Sequence, residues 1–109
     1  MYKSNILVVD DERFFTSLIA DILKESYRVS IANGGLEALD IIKKGNTDLI
    51  ILDILMPDMD GYEVCRQIKS SEKGRDIPVI FLTIKTEIED ELYGFDLGAV
   101  DYITKPISP

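Results

Sequence analysis

Five residues suited to metal or phosphoryl chemistry stand where short apolar runs end. Asp10 and Asp11 follow Ile6 to Val9, Asp53 ends Leu49 to Leu52, Thr83 ends the run from Pro78, and Lys105 follows Val100 to Thr104. Two carboxylates about 4 Å apart repel by about 4 kcal/mol at an effective dielectric of about 20, so a gathered set of acids calls for a cation. A hard divalent ion with oxygen ligands, Mg2+ above all, needs only a couple of carboxylates and keeps several waters. With a lysine and a hydroxyl opposite, such a site suits a phosphoryl group, and a carboxylate oxygen of Asp53 can attack phosphorus to form an acyl phosphate.

Each residue taken singly has a plainer role. Asp10 and Asp11 suit a helix N-terminus, where acids complement the positive end of the helix dipole. Thr83 and Tyr102 suit strands, and Lys105 suits solvent. Within Pro57-Asp58-Met59-Asp60-Gly61 the acids fit turn chemistry better than metal ligation. Asp53 is different, because the apolar run before it directs its charge to a buried rim that must be compensated.

The elements that would gather these residues follow from periodicity. Short apolar runs alternate with helical patterns, as in βαβ units with a parallel sheet. Ile6 to Val9, Tyr27 to Ala32, Leu49 to Asp53, Pro78 to Thr83 and Val100 to Thr104 are expected strands. Helices are expected around Phe14, Phe15, Leu18, Ile19, Ile22 and Leu23, then Leu36, Leu39 and Ile42, then Tyr62, Val64, Cys65 and Ile68, and finally Ile88, Leu92 and Phe95. In an open sheet of this kind ligands bind outside the carboxyl ends of the strands, where four of the five runs carry polar groups. Adjacency of the first and third strands would bring Asp10, Asp11 and Asp53 to one rim.

The chain of 109 residues fits a single domain, 1–109, and 46% hydrophobic with 29% charged residues is an ordinary globular balance. A net charge of -8 disfavours direct binding to nucleic acid or anionic lipid. One cysteine, Cys65, allows no internal disulfide, and no apolar stretch is long enough for a membrane span, so a cytoplasmic protein is the expectation. Without any histidine, imidazole chemistry has to come from another molecule. Ser108-Pro109 would start a fifth helix, so the sequence is expected to be a domain truncated before that helix, which would leave part of the sheet uncovered and open a route to a homodimer.

NILVVDDE, LIILDILMPDMDGYEV, IPVIFLT and GAVDYITKP together resemble the receiver domain of two-component response regulators over essentially the full length. The resemblance implies a flavodoxin-like, doubly wound five-stranded parallel sheet of order 2-1-3-4-5 with helices on both faces, the last helix absent. It implies Asp53 as the phosphorylation site and Mg2+ held by Asp11, Asp53 and the backbone carbonyl of Leu55, with Asp10 acting mainly through a bound water. Lys105 would pair with the phosphoryl oxygens, across a Lys105-Pro106 bond expected to be cis. Thr83 would hydrogen-bond one of those oxygens, and Tyr102 would swing into the space Thr83 leaves. The donor would be a phosphohistidine on a sensor histidine kinase or histidine phosphotransfer protein. The output would be a downstream effector domain or protein, reached through the fourth helix and fifth strand. Such a domain is a signalling module rather than an enzyme, although it assists its own phosphorylation and dephosphorylation.

Two positions depart from the family pattern. Ile84 is bulky where a small residue is usual, and Leu55 offers no polar side chain to orient an attacking water, which predicts slow loss of the phosphoryl group. A haloacid-dehalogenase-like phosphohydrolase would need a second acid where Leu55 stands, together with a cap over the substrate. A flavodoxin-like FMN binder would need a hydroxyl-rich loop where this chain has Asp10 and Asp11. A receiver that only mediates protein contacts would not need all five key residues.

Overall fold

The strands form from runs too short for helices and bounded by turns. They are β1 (Asn5–Val9), β2 (Arg28–Ala32), β3 (Leu49–Asp53), β4 (Val79–Thr83) and β5 (Asp101–Thr104), and the helices are α1 (Arg13–Leu23), α2 (Gly35–Lys44) and α3 (Gly61–Ser70). This computed structural model describes residues 3–83 and 96–104, with only the backbone of Thr83 and Thr104. The strands make one parallel sheet of order β2-β1-β3-β4-β5, the expected order.

Alternate strand residues point to opposite faces, which divides the core in two. Leu7, Val9, Ile50, Leu52, Val79 and Phe81 pack with Ala38, Ile42, Val64, Cys65 and Ile68 of α2 and α3. Ile6, Val8, Ile51 and Leu82 pack with Phe15 and Ile19 of α1 on the other face. Central strands covered on both faces must be apolar at every position, and that is why β1 and β3 are continuous hydrophobic runs. Each Leu, Ile or Phe fully buried there contributes about 1.5–3 kcal/mol over an exposed one.

The helices keep their expected places, but their apolar faces are narrower than the periodicity suggests. Phe14 is 79% exposed and Leu36 72% exposed, each in the first turn of its helix, and Ile22 is also exposed. Asp10 and Asp11, read above as metal-site residues with helix capping as the plainer alternative, both precede the N-cap of α1. The N-cap of α1 is Glu12, whose side chain makes no cap hydrogen bond, and the Asp10 carboxylate instead accepts the Glu12 N–H. Asp60 does cap α3, accepting the Glu63 N–H at 2.9 Å, as turn chemistry at that position requires.

The fourth-helix pattern of Ile88, Leu92 and Phe95, the acidic run Glu87 to Glu91, and the Ile84, Lys105-Pro106 and Ser108-Pro109 positions lie outside the described residues. Among the described residues no helix is long and apolar enough to cross a membrane.

Candidate functional site

Strand register assembles the acids. Val9 of β1 lies beside Leu52 of β3, so the next residues, Asp10 and Asp53, emerge side by side at the carboxyl edge of the sheet. One carboxylate oxygen from each of Asp10, Asp11 and Asp53 lies within 4.8 Å of the others. Asp10 is fully buried and Asp53 is 5% exposed, whereas Asp11 faces solvent.

Backbone contacts fix these side chains in place. The Asp10 N–H donates to the Ala32 carbonyl at 3.1 Å, tying the end of β1 to β2, and the Glu12 N–H holds the Asp10 carboxylate at 3.0 Å. Beyond Asp53, the Ile54 N–H donates to the Leu82 carbonyl at 3.2 Å and continues the pairing with β4. The chain then turns back. The Gly61 N–H donates to the Ile54 carbonyl at 2.8 Å, the Met59 N–H to that of Pro57 at 2.8 Å, and Asp58 takes a left-handed φ of 69°. The loop from Ile54 to Asp60 is thereby closed against Asp53, with the Leu55 side chain 65% exposed at the rim.

The acids fit a small hard cation. Bonds of about 2.1 Å in an octahedron set adjacent ligand oxygens about 3.0 Å apart and opposite ones about 4.2 Å apart, so oxygens gathered within 4.8 Å of one another would hold such an ion once their side chains close in on it. Two of the three acids are withdrawn from water, which strengthens their mutual repulsion and hence the stabilisation a divalent ion would bring.

The remaining predicted residues are described in part. Thr83 is one step beyond Leu82, the register partner of Asp53, and its backbone pairs with that of Thr104. Tyr102 is half-buried on β5, its ring tilted by 39° on Phe81 at a centroid distance of 5.5 Å. Phe81 meets Tyr62 of α3 edge-on at 5.3 Å, so three aromatic rings link α3, β4 and β5. Lys105 lies outside the described residues. Cys65 is buried as expected, its thiol directed to the Leu97 carbonyl at 3.7 Å, and burial pushes its pKa above the ordinary thiol value.

Two contributors escaped the sequence reading. The Glu12 N–H that anchors Asp10 belongs to a local turn in which an aspartate accepts from the residue two positions on, a pattern readable in the sequence. Gly61 seemed explained as a turn residue, and only the fold reveals its backbone against Asp53.

Residues 6–109 match the family model of the response regulator receiver domain, and the chain belongs to that family. It is 48% identical over 106 residues to a probable cyclic di-GMP phosphodiesterase of Vibrio cholerae, an alignment covering 97% of this chain and 24% of that protein. Among solved structures it is similar to the Vibrio cholerae chemotaxis protein CheY4, with a TM-score of 0.95 and 30% identity, covering 99% of this chain and 91% of that one. It is also similar to the receiver domain of the Pseudomonas aeruginosa sensor histidine kinase PA1611, whose structure has a magnesium ion coordinated in the active site cleft. There the TM-score is 0.88 and the identity 30%, over 98% of this chain and 88% of that one. The chain spans between about a quarter and under a half of the length of the curated relatives it matches. Its family is one of signalling modules of two-component systems.

Proposed function

We propose that this chain accepts a phosphoryl group on Asp53 from a phosphohistidine of a sensor histidine kinase or histidine phosphotransfer protein, and passes the signal to an effector domain or protein. The observation that carries the reading is the convergence of Asp10, Asp11 and Asp53 at one strand rim, within a chain that matches the receiver family. In the reaction a carboxylate oxygen of Asp53 attacks phosphorus, the P–N bond to the donor imidazole breaks, and that nitrogen leaves with the bonding pair. The absence of histidine from this chain agrees with a donor on another molecule.

Asp11, Asp53 and the Leu55 carbonyl would hold Mg2+, with Asp10 acting mainly through a water, and the ion supplies charge neutralisation for an anionic phosphoryl group meeting a carboxylate. Lys105 pairs with the phosphoryl oxygens. The Thr83 hydroxyl donates to one of them, and Tyr102 leaves its present seat beside Phe81 for the space Thr83 vacates. A phosphoryl group adds about -1.5 to -2 charges, and contacts made only in that state shift the conformational population toward it. The surface from Thr83 to Tyr102 is the output face. A cytoplasmic location suits a phosphohistidine donor, and the net charge of -8 argues against direct nucleic-acid binding by this domain.

Incubation with Mg2+ and acetyl phosphate followed by intact mass measurement tests the reading. One added phosphoryl group per chain, absent without Mg2+ and absent in Asp53→Asn, is expected. Continuous turnover of a phosphate ester would point to a hydrolase instead.

A further inference from the structure

Gly61 is the first residue of α3, behind an N-cap, Asp60, that already accepts the Glu63 N–H. The left-handed glycines among the described residues are Gly45 and Gly98, so Gly61 has no conformational need to lack a side chain. Alanine would favour a helix there by up to about 1 kcal/mol. The reason for glycine is space. A Cβ at position 61 would stand 2.2 Å from the Asp53 carbonyl oxygen, 2.8 Å from the Ile54 Cα and 2.9 Å from the Asp53 carbonyl carbon. All three are backbone atoms that cannot rotate aside. Gly35 contrasts with this, since a Cβ there meets the side chains of Val64 and Met59, and at Gly34 it meets nothing within 4 Å.

We infer that Gly61 is a positioning residue for the phosphoacceptor: the bare contact between its Cα and the Asp53 carbonyl sets where the Asp53 carboxylate stands relative to Asp10 and Asp11. The same residue, through its N–H on the Ile54 carbonyl, tethers the loop that carries Leu55. A methyl group at this point forces the end of β3 and the start of α3 apart by roughly an ångström, because packed interiors have no slack to absorb it. A displacement of that size at a reacting group costs on the order of 10²-fold in rate. The inference rests on Asp53 being the acceptor, and the experiment separates the two.

Gly61→Ala is compared with Gly74→Ala, whose Cβ would meet the Ile68 carbonyl at 2.5 Å and the Ser71 hydroxyl at 2.7 Å, at the opposite end of α3. Thermal unfolding, Mg2+ affinity by calorimetry and the phosphorylation rate with acetyl phosphate are measured at a temperature where each variant is folded. Both variants are expected to unfold at lower temperature than wild type. Only Gly61→Ala is expected to lose about 10²-fold in phosphorylation rate and to bind Mg2+ more weakly. A Gly61→Ala chain that matches Gly74→Ala in rate and affinity overturns the inference and leaves the acceptor reading intact. A wild-type chain that takes no phosphoryl group overturns the acceptor reading itself. Should Gly61→Ala fail to fold, amide exchange in the wild-type chain decides: slower exchange of the Gly61 N–H on adding Mg2+ is expected, and unchanged exchange at saturating Mg2+ overturns the inference.

Discussion

Asp53, the proposed phosphoacceptor, ends β3 at a nearly buried rim. It has a carboxylate oxygen within 4.8 Å of one from Asp10 and one from Asp11, and like charges so close repel one another. Asp53→Asn is therefore expected to raise the unfolding temperature without Mg2+. Mg2+ at about 100 times its Kd should stabilise the wild type by about 2.7 kcal/mol, and much less in the variant. Thermal scans with and without Mg2+ measure both effects, and equal Mg2+ stabilisation of both proteins would contradict the assignment. At Leu55 the exposed apolar side chain offers no group to orient a water for attack on the proposed acyl phosphate. Leu55→Asn is expected to shorten the half-life of the phosphorylated chain, followed by decay after donor removal, and a half-life unchanged or longer would sink that account.

At the scale of elements, α3 connects the loop after Asp53, the proposed acceptor, to β4 and β5. Its N-terminus is held by the Asp60 cap, and Asp60→Ala should cost about 1 kcal/mol in urea unfolding. Farther along, Cys65 and the ring of Tyr62 contact Leu97 and Phe81. Burial raises the Cys65 pKa, so the folded chain favours the neutral thiol while the unfolded chain ionises first as pH rises. Stability from this source is whole below the unfolded thiol's pKa and is lost as pH climbs through the folded value. Urea midpoints should thus fall above about pH 9 in wild type, and Cys65→Ala should flatten that part of the profile.

Across the whole molecule, the strands were the most legible feature of the sequence. All five strands match their expected ranges to within one residue, the largely exposed β2 as well as the covered β1 and β3, because each run is short, rich in apolar or β-branched residues and bounded by turn residues. The helical faces were legible only in their centres. Phe14 and Leu36 keep the period but stand in first turns, where the Phe14 and Leu36 side chains stay in solvent. The site was legible as a list of polar strand ends. Its assembly was not, because Asp10 and Asp53 meet through the adjacency of β1 and β3, which the resemblance supplied and periodicity alone could not. Gly61 was hidden for a related reason: a glycine after Asp60 satisfies turn chemistry so well that nothing local signals its seat on Asp53.

The central claim is that residue 53 carries an acyl phosphate, and chemical trapping tests it most directly. After incubation with Mg2+ and acetyl phosphate, borohydride reduces an aspartyl phosphate to homoserine, which peptide mass mapping locates. Homoserine at position 53 alone is the predicted result. Homoserine at position 10 or 11, or at no position, would contradict it.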